Sequence, residues 1–302
     1  MKAVVLHEYG GPSKLKYEDV DDPVAGPGEV LVRVAAASVN PIDWKIRSGA
    51  MQAIFPTQFP AILGFDLSGT VRAVGEGVTG FAPGDRVMAV SPRAYAELAV
   101  VKAEVLALVP EKMDLVEAAA LPLVTVTGGE LMSEGVGIKQ GETVLVAGAL
   151  GGVGRTAVLT AKKAGAVVIA GVRKSQMEAA EELGADEVVA LDDEDAMEKV
   201  GFIDAVADAV GGATAEMLLG KVKQGGVFAS VTGTPGNAKL HPTVKVVMFQ
   251  QHPDAGKIRM LAEDVLAGRL VIPIDRMVAL ADASEAHAAA EKGGLGKVLL
   301  LA

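Results

Sequence analysis

The chain has no cysteine among its 302 residues. A disulfide framework and a thiolate-held metal are therefore excluded, and the cytoplasm is the expected location. Positive charge is also scarce: 28 Lys and Arg face 38 Asp and Glu, the formal net charge is −10, and no basic run occurs. That balance argues against nucleic acid as a partner. No apolar stretch approaches the ~20 residues of a membrane span. The opening Met1–Glu8 turns polar too soon for a signal peptide and reads as a first strand. The four histidines, His7, His241, His252 and His287, show no ligand-like spacing, so no metal is expected. Ser91, Ser133 and Ser230 lack the glycine-flanked elbow of serine hydrolases.

What is abundant is apolar surface and glycine. Half of the residues are hydrophobic and 36 are glycine, above the usual ~7%, as in an α/β protein with many tight turns. The length is a prior for two domains at ~150 residues each. Val144–Ala147 reads as a buried strand, Gly148–Gly154 as a glycine-rich turn, and Arg155–Ala164 as a helix closed by Gly165. That order is the context of a dinucleotide fingerprint, with backbone N–H groups meeting a pyrophosphate at the helix N-terminus. The first position of the strict motif is Ala149, followed by Gly151 and Gly154, with Gly148 and Gly152 added. A second strand, Val167–Gly171, ends about 20 residues after the fingerprint, where NAD-binding proteins carry an acidic residue. Here stand Gly171, Val172, Arg173 and Lys174. Two cations without a carboxylate suit a 2′-phosphate and favour NADPH; the plainer alternative is a solvated loop with two ordinary charges.

Short strands separated by Gly and Pro fill residues 1 to about 115 and suggest a twisted barrel or sandwich. Within them Asn40–Lys45 reads as a loop holding the only tryptophan, Trp44. Asp43 and Lys45, two apart, do not share a helical face. From Val116 the period changes, with helices expected over Glu117–Leu121 and Leu123–Glu134. Beyond Lys174 strands alternate with helices, giving a parallel, doubly wound sheet. Capping boxes are read at Ser175–Glu178 and Asp282–Glu285. Val244–Phe249 is the last strand of that sheet. Leu270–Ile272, Met277–Leu280 and Lys297–Leu301 are further strands, which return to the first domain. Asp204 and Asp208 read as turn anchors at a strand's end rather than as acid–base groups.

At this point the residues carry a family. Ala37–Lys45, Gly64–Gly69, Gly80–Val87, Tyr95–Glu97, Ala118–Leu123, the fingerprint and Gly296–Val298 together resemble the medium-chain dehydrogenase/reductase superfamily, in its zinc-independent quinone oxidoreductase and enone (alkenal) reductase branch. The resemblance implies an α/β protein: a GroES-like β-rich catalytic domain from residues 1–117 and 255–302, and a Rossmann doubly wound parallel-sheet domain over 118–254. It implies hydride transfer from NADPH to a quinone or to the C=C bond of an α,β-unsaturated carbonyl. Zinc members carry Gly-His-Glu where this chain has Gly64-Phe65-Asp66, and without a metal there is no Lewis acid for alcohol chemistry.

Carried over position by position, Asn40 lies by the nicotinamide ribose and Thr127 contacts the nicotinamide side. Gly148, Gly151, Gly152 and Val153 hold the pyrophosphate, and Arg173 and Lys174 hold the 2′-phosphate. Val210, Gly233 and Phe249 meet the cofactor from later strands. Lys45 and Asp43 resemble an Asp-x-Lys pair near the substrate carbonyl, where a donor would stabilise the enolate; the alternative is a solvated lysine and a structural aspartate. The proton comes from water or from a hydroxyl such as Tyr95. A homodimer joined along Val244–Phe249 is expected. The other reading from this sequence is an NADPH-binding structural or sensor protein with little turnover.

Overall fold

A computed structural model describes residues 1–294 and 296–302. In chain order the strands and helices begin with β1 (Lys2–Leu6), β2 (Leu15–Asp19), β3 (Glu29–Val39), α1 (Pro41–Ser48), β4 (Ala61–Ile62), β5 (Asp66–Val74), β6 (Arg86–Val90), β7 (Leu98–Lys102) and β8 (Leu106–Leu108). A second run follows with α2 (Pro122–Glu130), β9 (Thr143–Ala147), α3 (Gly152–Lys163), β10 (Val167–Val172), α4 (Met177–Glu181), β11 (Glu187–Ala190), α5 (Glu194–Lys199), β12 (Ile203–Asp208), α6 (Gly212–Leu219), β13 (Val222–Ser230) and β14 (Lys245–Met248). The chain closes with α7 (Ala255–Leu266), β15 (Ile274–Ala279), α8 (Ala283–Glu291) and β16 (Lys297–Leu301).

Two units separate. One comprises residues 1–123, 253–268 and 272–302; the other comprises 124–252 and 269–271. The expected boundaries at 117/118 and 254/255 thus fall a few residues elsewhere. Residues 118–123 join the first unit, where the Leu123 N–H donates to Asp66 at 2.6 Å.

The first unit is a β-rich body of two sheets. One runs β15-β16-β3-β5-β6-β8, with β7 also paired to β3; the other is β2-β1-β4. The eleven-residue β3 is its spine, pairing antiparallel with β5, β7 and β16. Alternation puts Val30, Val32 and Val34 into a core shared with Leu67, Val87 and Leu300. This is the GroES-like arrangement, closed by the C-terminal strand.

The second unit is a six-stranded parallel sheet in the order β11-β10-β9-β12-β13-β14. Renumbered from its first strand this is 3-2-1-4-5-6, the doubly wound dinucleotide-binding order. Val144 and Val146 face one hydrophobic cluster, Leu145 and Ala147 the other. Both faces are covered, which is why the strands read as unbroken apolar runs.

Several local expectations are corrected. Asn40–Lys45 is the start of a helix, since Pro41 suits N1. The 123–134 helix is α2 followed by a π-helical turn over Leu131–Val136. Neither expected capping box forms: Lys174–Gln176 is a 3₁₀ turn, and the Asp282 side chain makes no cap. Leu270–Ile272 is not a strand, and β14 is shorter than expected by its end residues. No helix of the described residues is long and apolar enough to cross a membrane.

Candidate active site

In the second unit the fingerprint turn does what its glycines require. Gly148 has φ +76°, and a Cβ on Gly154 would lie 2.2 Å from the Gly148 carbonyl oxygen, so the helix can touch the turn only because residue 154 is glycine. Gly151 is the N-cap of α3 and no side chain caps it. The N–H groups of Gly152, Val153 and Gly154 therefore have no partner within the helix and point at whatever anion lies before it.

The other expected cofactor residues follow strand ends. In a parallel sheet all carboxyl ends share one edge. Gly148 follows β9, Arg173 follows β10, Val210 follows β12 by two residues, Gly233 follows β13 by three, and Phe249 follows β14. The order reverses between β9 and β12, the position at which doubly wound sheets bind ligands. A Cβ on Gly148 would sit 3.1 Å from Val210 Cγ2, so these two loops are neighbours. Asp208 anchors this edge: its Oδ1 accepts from the N–H groups of Val210 and Gly211, and its Oδ2 from the hydroxyls of Ser230 and Thr232. That is the turn-anchoring role its strand position implied.

Phe249 is partly buried and packs over Gly135 of the π-helical turn, within the core beneath the sheet. Thr127 is buried on α2. Arg173 and Lys174 are exposed, but they differ. The Lys174 ammonium is bonded to Asp193 at 2.7 Å, and its N–H to Asp192 at 2.6 Å. Asp193 raises the Lys174 pKa and is itself lowered by it. Among the described residues the guanidinium of Arg173 has no such partner. Arg155, which sequence reasoning passed over, stands in the first turn of α3 and donates to the Leu150 carbonyl at 2.9 Å. Nothing in the spacing of Glu130, Glu134 and His252 along the chain links them, yet their ligand atoms lie within 4.8 Å of one another.

In the first unit the expected catalytic residues belong to a buried polar cluster. Asp43 occupies the third position of α1, and its Oδ2 accepts from the Asn40 N–H at 2.7 Å, half of a capping box. The same Oδ2 accepts from the Tyr95 hydroxyl at 2.9 Å. Oδ1 has no partner among the described residues. Burial pushes this carboxyl up to about 7.

Asn40 is fully enclosed, and its carboxamide spans two charged groups. Lys297 Nζ donates to Oδ1 at 2.6 Å, and Nδ2 donates to Asp66 Oδ2 at 2.8 Å. Because an ammonium only donates and a carboxylate only accepts, the amide orientation is fixed. Asp66 is saturated, with Ser38 Oγ at 2.6 Å, the Leu123 N–H at 2.6 Å and Lys297 Nζ at 3.6 Å. A zinc ion does not fit here. The second position of the Gly-His-Glu triplet is Phe65, and the Asp66 oxygens are already occupied.

Two apart on α1, Asp43 and Lys45 do not share a face; among the described residues no hydrogen bond ties them, and Asp43 is bonded to Asn40 and Tyr95. Tyr95 offers no free hydroxyl. It is fully buried, its hydroxyl meets Asp43 and His287, and burial raises its pKa well above the ordinary value. Sequence reasoning left Ser38, Arg47, Asp66, His287, Glu291 and Lys297 without roles, because the chain brings them together from four distant segments.

Comparison with known proteins places this architecture. Residues 26–111 match the alcohol dehydrogenase GroES-like domain and residues 183–300 the zinc-binding dehydrogenase family. A chloroplast envelope quinone oxidoreductase homolog of Arabidopsis thaliana is 30% identical over 99% of this chain and 98% of its own length. The chain belongs to the medium-chain dehydrogenase/reductase superfamily, in its quinone oxidoreductase branch. A 2-methylene-furan-3-one reductase of Solanum lycopersicum is 32% identical over 86% of this chain and 70% of its own. A mycobacterial protein solved in complex with NADPH has a TM-score of 0.88 at 28% identity, covering 100% of both chains. This family member is thus an oxidoreductase of nicotinamide type, with both halves of the fold in family order.

Proposed function

We propose that this oxidoreductase uses NADPH to reduce the C=C bond of an α,β-unsaturated carbonyl or a quinone, without a metal. The carrying observation is the edge of the parallel sheet, where the uncapped N-terminus of α3 and the Arg173 guanidinium, unpaired among the described residues, stand beyond neighbouring strands. The first suits a pyrophosphate and the second a 2′-phosphate. Gly148, Gly151, Gly152 and Val153 cradle the pyrophosphate in this reading. Val210 and Gly233 border the ring end, and Thr127 is assigned the nicotinamide. Phe249 supports this edge from beneath.

A reduced nicotinamide supplies the hydride when bound. The protein's share is orientation, exclusion of water and a hydrogen-bond donor for the oxygen on which charge develops. Metal independence is supported by the absence of cysteine and by the saturated Asp66. The names of the relatives, a quinone oxidoreductase homolog and a methylene-furanone reductase, support both substrate classes. The two classes share a chemistry: a conjugated C=C or ring accepts hydride and its carbonyl oxygen takes the charge. A homodimer along β14 is part of this proposal; β14 is an open sheet edge carrying the exposed Met248, a feature that invites strand pairing.

The test is cofactor oxidation by chelator-treated protein against a panel of small enones and quinones, with NADPH and NADH in parallel. Turnover with NADPH and at least one panel member is expected. Tight NADPH binding with no turnover across the panel would favour the structural or sensor alternative. Loss of activity on chelation would end the metal-free reading.

A further inference from the structure

The polar cluster of the first unit has a fixed proton order. Arg47 Nη1 lies 3.2 Å from His287 Nδ1. A guanidinium only donates, so Nδ1 must be the accepting nitrogen and the ring proton sits on Nε2. His287 Nε2, 3.2 Å from the Tyr95 hydroxyl, then donates to that oxygen. The single Tyr95 proton is left for Asp43 Oδ2. The order runs Arg47 to His287 to Tyr95 to Asp43, with no alternative direction.

At Asp43 this order meets the Asn40 N–H, so Oδ2 receives two donors and Oδ1 receives none. That is the pattern of a carbonyl oxygen beside a hydroxyl, not of an evenly solvated carboxylate. The charges agree. Three carboxylates, Asp43, Asp66 and Glu291, share the cluster with two cations, Lys297 and Arg47. Arg47 is paired with Glu291, and Lys297 with Asp66. Every atom Lys297 touches, Asn40 Oδ1, Val39 O and Asp66 Oδ2, is an acceptor, and Asp66 and Asp43 favour its charged form against the burial that lowers its pKa. Asp43 is the carboxyl without a cation, and its two partners are both neutral. Tyr95 and His287 are neutral as well.

We propose that Asp43 is held as a neutral carboxylic acid with its proton on the enclosed Oδ1, the end of the order that starts at Arg47. The direction of the Asp43 titration agrees: burial and the nearby Asp66 raise it, outweighing the Asn40 and Tyr95 hydrogen bonds and Lys297. Arg47 is then a positioning residue, because it sets the tautomer that commits Tyr95 to Oδ2.

Infrared difference spectra of the whole protein test the protonation directly. At pH 6 wild type should show a protonated-carboxyl C=O band that shifts in deuterium oxide, vanishes by pH 9 and is missing in Asp43→Asn. Absence of that band in wild type overturns the proposal. A band that persists unchanged to pH 9, or that survives in Asp43→Asn, likewise overturns it.

Discussion

A Cβ on Gly64 would lie 2.3 Å from Cδ1 of Tyr95. Gly64 also has φ +91°, a conformation that side chains resist. The first residue of the family triplet is thus the floor on which the Tyr95 ring rests, and the ring's position sets the hydroxyl against Asp43. Gly64→Ala should cost at least about 1–3 kcal/mol by overpacking alone, read as a lower urea midpoint. An unchanged midpoint would mean the Tyr95 ring is not seated there.

The Asp43 and His287 titrations work in opposite directions on stability. Asp43 is raised to about 7, so its contribution is full below the ordinary carboxylate range and is lost as pH rises through neutrality. His287 is lowered to about 3 by burial and by Arg47, so its contribution is full above the ordinary imidazole range and is lost as pH falls. Between about pH 4 and 6.5 folding takes up a proton at one residue and gives one up at the other. Wild-type stability should therefore vary little there from these two groups. His287→Gln should unmask Asp43, with stability relative to wild type rising by up to ~1.4 kcal/mol per unit of falling pH. Asp43→Asn should show the opposite slope. Denaturant midpoints across this range measure both, and parallel curves for all three proteins would refute the compensation.

Arg173 and Lys174 should separate in cofactor binding. With the Lys174 ammonium bonded to Asp193, Arg173→Ala should weaken NADPH by the ~1.5–3 kcal/mol of a charge-assisted contact and leave NADH unchanged. Lys174→Ala should cost less. Calorimetric titration of each variant checks this; equal weakening of NADH by Arg173→Ala would remove the 2′-phosphate assignment.

Lys45→Met should change kcat for enones by less than the ~10²-fold of a lost oxyanion donor. Its neighbour Asp43 is committed elsewhere, and among the described residues no hydrogen bond ties the two. A full ~10²-fold loss would make Lys45 the donor to the substrate oxygen.

Assembly should depend on β14. Met248→Lys at the open edge should shift wild-type dimers toward monomers, since edge lysines block strand pairing. Sedimentation velocity at micromolar concentration reads the result; a wild-type monomer would end the dimer proposal.

The second unit was legible residue by residue because its signals are local. A parallel sheet buried on both faces produces apolar runs, and a strand, a glycine turn and a helix are adjacent in the chain. Gly148, Gly154, Arg173 and Asp208 could each be read from a short window. The exclusion of thiolate metal chemistry needed only the absence of cysteine. The first unit's site was not legible in that way. Asp43 was visible as a motif residue, but the cluster around it is drawn from β3, β5, α8, β16 and the segment before β7, with Asn40 and Lys297 bonded across 257 positions. Whether Asp43 pairs with Lys45 or with Tyr95 is decided by which way a helix turns and by which side chains exclude water around it. Burial and the pairing of charges are properties of the packed unit. They set the proton order from Arg47 to Asp43, and neither is written in any short stretch of the chain.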